Sequence, residues 1–234
     1  MKLLSILTVT KAEHFTGFFL NRMQKLAIAA NAEFVIAGDG SDAINRLKKA
    51  GYGDEDILVS VKSNGTMESV LDSAVRCCSG KYILRLDDDE CVSPEMFQWL
   101  VREDFTEADH WKFSRAHLWH HEGLYITNAP LWPDHQTRLS VKKKSGGRPV
   151  LHVGSPFGGG RLAPVILEHW KFLVKSTEER WAIAKFNDQF GPGFGTGSML
   201  PFNVPEASFA SLELRDISEA VSQTVIDAEQ EVNA

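Results

Sequence analysis

The first half of the chain alternates brief apolar runs with longer stretches in which apolar residues recur at helical spacing. A short apolar run predicts a buried strand, and an apolar residue every three or four positions predicts a helix packed by one face. The predicted strands are residues 2–9, 34–37, 57–61 and 82–86. The predicted helices are residues 15–30, 42–50 and 66–78, the second beginning after Ser41 and closed by Gly51. This βαβαβαβ order predicts an α/β fold with a mostly parallel sheet and helices on both faces.

The second half has a less regular pattern. The predicted elements are a helix after Pro94, a strand at 111–113, two hairpin arms at 138–141 and 149–153, an apolar stretch at 165–170, and a helix at 176–186. Two glycine-rich stretches, 154–160 and 191–197, are open to interpretation as closing loops or as plain connectors. We expect one domain over 1–205, with halves 1–92 and 93–205, followed by an acidic helical tail over 206–234. That tail is a candidate surface for homo-oligomer formation.

Composition and charge narrow the function classes. The chain has 234 residues and a formal net charge of −6, which argues against a nucleic-acid partner but allows a nucleotide at a locally cationic site. No apolar stretch approaches the roughly 20 residues of a transmembrane helix. The three cysteines, Cys77, Cys78 and Cys91, form an odd set without CxxC spacing. Reduced thiols in a cytoplasmic protein are therefore expected.

Three consecutive aspartates, Asp87, Asp88 and Asp89, follow the apolar run 82–86 directly. Ligands of open α/β sheets bind beyond the carboxyl ends of the strands. Three carboxylates at one such end repel one another unless a cation joins them, and oxygen ligands suit Mg²⁺ or Mn²⁺. A solvated turn before a helix capped by Ser93 is the alternative, but it leaves the three acids unexplained.

Two segments carry a resemblance to a known family. Residues 38–42 read Gly-Asp-Gly-Ser-Asp after the second strand, and residues 79–90 read Ser-Gly-Lys-Tyr-Ile-Leu-Arg-Leu-Asp-Asp-Asp-Glu. Together with the first strand, they resemble the family-2-like GT-A glycosyltransferases, whose motif is DxD. The resemblance covers residues 3–90 and extends weakly to about residue 187 through segments 133–139 and 168–170. It implies a GT-A (Rossmann-like) fold with an irregular acceptor-side half, and a nucleotide-sugar donor.

The resemblance also implies roles for individual residues. Asp87 and Asp89 match the metal-binding carboxylates, and Asp88 matches a position that faces the ribose or the donor sugar. Asp39 matches the acidic residue that recognises the base or ribose, where its carboxylate accepts from a uracil N–H. This implies a UDP-sugar donor, Mn²⁺ or Mg²⁺ as cofactor, and a saccharide, polysaccharide or lipid-linked acceptor.

The chain departs from the family pattern at three positions. Gly38 replaces the first of two acids, Asp72 stands where asparagine is common, and Leu71 stands where arginine is common. Asp72 is retained as a candidate donor contact. These departures leave the choice of nucleotide open.

Other side chains are candidates for the metal and the base. His169 follows an apolar run and is a candidate third metal ligand, although lone histidines are more often structural. Asp134 is the first candidate for a general base that takes the acceptor's proton, with Glu122 and Asp109 next; a retaining enzyme lacks such a base. His117, His120 and His121 lack the pattern of a structural zinc site and are interpreted as structural.

Two other function classes stay open. A nucleotidyltransferase of related fold uses the same metal but usually carries a glycine-rich basic loop after the first strand. A non-catalytic sugar-nucleotide or metal-binding module is the second alternative. GxGxxG and GxxxxGK[ST] motifs are both absent from the sequence, which argues against Rossmann dehydrogenases and P-loop enzymes.

Overall fold

The structure is a computed structural model that describes residues 2–12, 16–53, 56–65, 69–144 and 160–233. Its ten strands are β1 (Leu4–Thr10), β2 (Glu33–Asp39), β3 (Ile57–Val61), β4 (Tyr82–Leu86), β5 (Glu90–Val92), β6 (His110–Trp119), β7 (His121–Ile126), β8 (Asp134–Val141), β9 (Arg161–His169) and β10 (Leu214–Asp216). Its α-helices are α1 (Thr16–Ala29), α2 (Gly40–Lys49), α3 (Leu71–Cys77), α4 (Pro94–Val101), α5 (Lys171–Val174), α6 (Thr177–Asn187), α7 (Leu200–Asn203), α8 (Pro205–Ser208) and α9 (Ile217–Val232).

One sheet has the order β10-β7-β6-β8-β4-β1-β2-β3, and β9 pairs with both β6 and β5. The strands β3, β2, β1 and β4 run parallel, as the strand–helix alternation predicts. Beyond β4 the sheet continues through antiparallel pairs with β8, β6, β7 and β10, while β9 runs parallel to β6. The predicted α/β fold class is confirmed.

Apolar side chains cover both faces of the parallel strands. All seven residues of β1 are buried. Leu4 and Ile6 pack on one face with Phe19 and Met23 of α1. Leu7 belongs to the opposite face, which α3 covers. Because successive side chains of a strand point to opposite faces, a strand buried on both sides reads as a continuous apolar run.

Several predicted boundaries change in the structure. Helix α2 begins at Gly40 with Asp39 in the cap position, so the start predicted after Ser41 is wrong; Gly40 adopts a φ of +85°, which favours glycine. The strand predicted at 111–113 extends over His110–Trp119, which makes the second half more regular than expected. The predicted hairpin arm at 149–153 and the glycine-rich stretch at 154–159 lie outside the described residues.

The predicted terminal helix is present as α9 and packs on the body of the protein. Ala220 shares an apolar cluster with Ala116 of β6 and Ile166 of β9. Homo-oligomer formation through this helix stays a prediction. Within the described residues, every helix is too short or too polar to cross a bilayer.

Candidate functional site

A cavity of about 750 Å³ lies against the turn that follows β4. This volume is within the usual range for small-molecule sites. Its lining carries six basic side chains and four carboxylates: Lys11, Arg85, Arg115, Arg138, Lys171 and Lys175, with Asp87, Asp88, Asp89 and Asp134. The sequence-predicted residues Asp87, Asp88, Asp89, Asp134 and His169 therefore meet in one cavity.

Strand register brings distant segments to this cavity. Glu90 of β5 pairs with His169 of β9, and His169 pairs with His117 of β6, so three strands place these residues in one row. Along its opposite edge β6 pairs with β8, and there Arg115 lies across from Asp134. The turn at the aspartates is fastened to the end of β9 by the backbone N–H of Trp170, which donates to the Asp89 carbonyl at 2.8 Å.

A buried network of charges underlies the cavity. Glu90 is fully buried and accepts from Arg115 Nη1 at 2.9 Å and from Arg138 Nη2 at 2.7 Å. The same Arg138 Nη2 donates to Asp87 Oδ2 at 2.7 Å. Buried charges are tolerated where each has a partner, and here every guanidinium has at least one carboxylate.

Asp87 and Asp89 each have a built-in counter-ion. Burial acts to raise the pKa of Asp87, but Arg138, Arg85 and Arg115 together outweigh it and the net pKa is lowered. Asp89 Oδ2 accepts from Lys175 Nζ at 2.7 Å. Burial acts to raise the Asp89 pKa, but Lys175 and His169 together hold it well below its usual range. Both carboxylates are therefore ionised at neutral pH.

Asp88 differs from its two neighbours. Its Oδ2 accepts from the Thr10 hydroxyl at the end of β1, at 2.7 Å. Burial and the charge of Asp89 raise the Asp88 pKa to about 6. The middle aspartate is thus held by a neutral donor rather than by a cation.

Two histidines connect Asp89 to Asp134 through the protein interior. His169 Nε2 lies 3.4 Å from Asp89 Oδ1, and His169 Nδ1 lies 2.8 Å from His117 Nδ1. His117 Nε2 lies 2.9 Å from Asp134 Oδ2. Burial lowers the pKa of His117 and lowers that of His169 to about 4, so both rings are neutral at pH 7.

Asp134 is held by several donors. Its Oδ2 accepts from Arg115 Nε at 2.8 Å and lies 2.6 Å from Arg115 Nη2 in an ion pair, and its Oδ1 accepts from Gln136 Nε2 at 2.6 Å. Burial acts to raise the Asp134 pKa, but the bond from His117 and the charge of Arg115 lower it strongly. A carboxylate so well satisfied is a poor proton acceptor, which argues against the predicted base role. Glu122 and Asp109, the next candidates, are not among the described residues that line the cavity.

Asp39 and Asp72, the other predicted donor contacts, also lie outside the described lining of the cavity. Asp39 accepts from the backbone N–H of Ser63 at 2.8 Å and from its hydroxyl at 2.5 Å, so it fastens the segment that leads to Gly65, which does line the cavity. Asp72 is exposed in the first turn of α3. Their donor contacts stay predictions.

Two lysines at the two ends of helix α5, Lys171 and Lys175, add positive charge to the cavity. Lys171 Nζ donates to the Phe202 carbonyl at 2.9 Å and to Asn203 Oδ1 at 2.6 Å, and burial lowers its pKa to about 7. Lys175 faces the Asp89 carboxylate, which raises the Lys175 pKa against the effect of burial. Both line the cavity, so an anionic ligand there would meet ammonium groups.

The residues present fit a divalent cation at Asp89 and His169. A carboxylate oxygen and an imidazole nitrogen lie 3.4 Å apart at the cavity wall, and both are donor types that suit Mn²⁺. Asp87 Oδ1 is also buried without a hydrogen-bond partner. Among the described residues no group of three side chains is arranged to hold a metal, so a ligand's oxygens would have to complete the shell.

Sequence reasoning missed much of the site. The sequence analysis assigns no role to Arg115, Lys171 or Lys175 and interprets His117 as structural, yet all four line the cavity. The available signal was the length of β6: a strand extended to Trp119 puts Arg115 and His117, two residues apart, on one face. Their partners lie on other strands, and pairing across strands cannot be inferred from spacing.

Comparisons with known proteins add little beyond the fold. No protein-family model matches the chain, and no curated protein matches it. Residues 1–349 of S. aureus TarS in complex with UDP-GlcNAc align at 16% identity and a TM-score of 0.43, covering 61% of this chain and 46% of that chain. Bifunctional IspDF from Campylobacter jejuni aligns at 14% identity and a TM-score of 0.43, covering 68% and 45%.

A third solved structure, Rv0371C from Mycobacterium tuberculosis H37Rv in complex with manganese, aligns at 13% identity and a TM-score of 0.38, covering 49% of this chain and 66% of that chain. This chain thus covers less than half of the TarS and IspDF chains. All three likenesses are too low to carry an argument about function.

Proposed function

We propose that the chain is a glycosyltransferase that moves a sugar from a nucleoside-diphosphate sugar, with uridine as the favoured base, to a hydroxyl of a saccharide, polysaccharide or lipid-linked acceptor. The observation that carries this proposal is the meeting of Asp87, Asp88, Asp89 and His169 with a set of basic side chains in one cavity. A site with carboxylates alone would repel a diphosphate. A site with basic groups alone could bind a diphosphate, but it would leave the acids without a role. A site that contains both suits a diphosphate with a divalent cation.

Asp89 and His169 would hold the cation, Mn²⁺ or Mg²⁺, through Asp89 Oδ1 and His169 Nε2. The bound cation supplies Lewis-acid stabilisation of the negative charge on the departing diphosphate. Lys175 contributes from the other side, because it contacts the second oxygen of Asp89 and leaves the first oxygen available. Arg138 holds Asp87 in place through a buried ion pair.

Lys171 and Lys175 are the proposed contacts for the diphosphate. Each ammonium group lines the cavity, and the two come from positions four residues apart around α5. Phosphate oxygens attract lysine as a point charge, without a demand for one fixed geometry. The lysines would bind the donor and stabilise the leaving group.

Asp39 and Asp88 are the proposed contacts for the nucleoside. Asp39 orders the segment at Ser63 beside the cavity, and Asp88 lies in the cavity wall with its carboxylate held by Thr10. An acidic group that faces a ribose or a uracil accepts from a hydroxyl or an imide N–H. Asp39 ends β2 and Asp88 follows β4, so the two proposed acceptors lie at the carboxyl ends of two strands of the sheet.

A product analysis tests this function against the two alternatives. The purified chain is incubated with Mn²⁺ and a panel of UDP-, GDP-, CDP- and dTDP-sugars, with and without a panel of oligosaccharide and lipid-linked acceptors. Release of the nucleoside diphosphate with a glycosylated product supports the proposal. In a parallel incubation with nucleoside triphosphates and sugar phosphates, release of pyrophosphate would identify a nucleotidyltransferase instead.

Donor binding without any release of product would identify a non-catalytic module and would overturn the proposal. Asp89→Asn is the matched variant for the site, since the amide keeps the shape of the carboxylate but weakens its metal binding. Glu229→Gln is the control, because it makes the same carboxylate-to-amide change on the exposed surface of α9. Only the Asp89 variant is expected to lose activity.

A further inference from the structure

Asp134, His117 and His169 form a connected series of buried contacts that ends at the cavity. The distances are 2.9 Å from Asp134 Oδ2 to His117 Nε2, 2.8 Å between the two Nδ1 atoms, and 3.4 Å from His169 Nε2 to Asp89 Oδ1. His117 is fully buried and His169 is 5% exposed. Hydrogen bonds in such a series have a direction, because each nitrogen of a neutral imidazole is either a donor or an acceptor.

The direction is set at Asp134. Its Oδ2 already accepts from Arg115 Nε and is ion-paired with Arg115 Nη2, and an ionised carboxylate can only accept. His117 Nε2 must therefore carry the proton and donate to Asp134. A ring that carries its single proton at Nε2 has a bare Nδ1, and the complete burial of His117 disfavours a second proton and its charge.

The same logic passes to His169. The two Nδ1 atoms are 2.8 Å apart, so one proton lies between them, and the bare nitrogen of His117 accepts it. His169 is then protonated at Nδ1 and bare at Nε2. Its Nε2 lone pair consequently faces Asp89 Oδ1 with no proton between two electron-rich atoms.

We propose that Asp134 and His117 are positioning residues that fix His169 in its Nδ1–H tautomer, so that its Nε2 lone pair and Asp89 together present two donors to a cation. The identity of that cation rests on the proposed function, but the tautomer does not. Hydrogen bonds to the far nitrogen of a metal-binding histidine commonly set its tautomer and orientation. Here the far nitrogen contacts a second histidine, and a carboxylate orients that one in turn.

This inference gives Asp134 a role that its contacts support. A general base must release its hydrogen-bond donors to take a proton, whereas an orienting carboxylate works best when it is fully satisfied. Arg115 joins Asp134 to Glu90 and so anchors the start of the series to the buried charge network. Asp134→Asn separates the two roles, because asparagine keeps an oxygen for His117 but cannot take a proton.

The direct experiment is ¹⁵N-edited NMR of the histidine rings in the metal-free full chain at pH 7.5, with His117→Phe and His117→Asn as paired variants. Phenylalanine fills the ring's space without an acceptor, and the asparagine side chain can place its oxygen near the original Nδ1. The expected result is a protonated Nδ1 and bare Nε2 on His169 in the parent and in His117→Asn. In His117→Phe the proton is expected at Nε2, bound to Asp89.

A parent His169 that is protonated at Nε2, or at both nitrogens, would overturn the proposal. So would an Nδ1–H tautomer that persists in His117→Phe. Should that variant fail to fold by circular dichroism, the parent tautomer and the asparagine variant still decide the question.

Mn²⁺ binding, followed by the EPR signal of the free ion, gives a second readout that does not depend on turnover. Loss of a group that orients a metal ligand typically costs about 10–100-fold in affinity, and we expect a loss of that size in His117→Phe. His117→Asn is expected to stay close to the parent, and equal losses in both variants would count against the tautomer account. A chain that lacks transferase activity but shows the predicted tautomer would reject the proposed function and leave this inference standing.

Discussion

The two halves of the sheet are stabilised in different ways. In the parallel half, β1 is buried on both faces by apolar neighbours, and its contacts are non-directional. In the other half, β6, β8 and β9 bury charged and polar side chains under the cavity: His117, Asp134, Arg138 and His169. The parallel half therefore supplies a rigid edge that carries the acids, and the other half supplies their counter-charges and orienting groups.

This difference has an energetic consequence. An apolar core tolerates exchange of one side chain for another of similar volume, because burial depends on area and shape. A buried charge depends on a particular partner, and removing that partner leaves an uncompensated ion. Function is thus concentrated in the half of the sheet that is less tolerant of substitution.

The largest expected effect is on activity. Asp89→Ala removes the carboxylate that we propose to hold the cation, and Lys175 loses its partner as well. A metal ion supplies several kcal/mol of transition-state stabilisation, so transfer should fall on the order of 10²–10⁴-fold. The measurement is the initial rate of nucleoside-diphosphate release at saturating Mn²⁺, with Glu229→Ala on the exposed surface of α9 as the control. An Asp89→Ala enzyme as active as the control would exclude Asp89 from the site.

The next effect is on stability and compares the halves directly. Glu90→Gln keeps the shape of a fully buried side chain but removes the charge shared by Arg115 and Arg138. Breaking a buried ion pair costs about 3–5 kcal/mol of unfolding free energy. Leu7→Met in β1 is the apolar counterpart, and a volume-conserving change of this kind usually costs less than about 1.5 kcal/mol. Urea unfolding of both variants tests the contrast, and equal losses would contradict it.

Acid titration should reveal the same contrast through Asp134. The Asp134 pKa is lower in the folded chain than in the unfolded chain, where it is about 3.9. At pH values between these two pKa values, the unfolded chain therefore binds more protons than the folded chain. The stability from Asp134 is therefore present above about pH 4 and is lost as the pH falls towards the folded-state pKa, by on the order of 2 kcal/mol. Asp134→Asn lacks this term, so the stability gap between parent and variant should narrow below about pH 4. A gap that is constant from pH 7 to pH 3 would contradict the account.

A smaller effect is expected at the far end of the parallel half. Asp39→Ala removes both contacts to Ser63 and the proposed base contact. A lost hydrogen bond to a charged group costs about 1.5–3 kcal/mol, which is roughly tenfold or more in donor affinity. Glu229→Ala, on the exposed surface of α9, is expected to leave the dissociation constant unchanged. Calorimetry with UDP and Mn²⁺ measures both, and an unchanged value for Asp39→Ala would reject its role.

The parallel half was predictable from the sequence because its signals are local. The four apolar runs and the intervening helical periodicity correspond to β1–β4 and α1–α3, and the three aspartates are contiguous after β4. His169 was also within reach, since it ends an apolar run. The counter-charges were not predictable, because Arg115 and Arg138 lie on two strands whose register decides which groups meet. Local spacing contains no information about that register.

The central claim is that this cavity binds a nucleoside diphosphate together with a divalent cation at Asp89 and His169. Isothermal titration of UDP into the parent chain, once with Mn²⁺ and once with EDTA, tests it most directly. The account predicts tight binding with Mn²⁺ and a dissociation constant at least about tenfold weaker in EDTA, since the diphosphate then meets Asp87–Asp89 without the cation. Equal affinity for UDP under the two conditions would contradict the account.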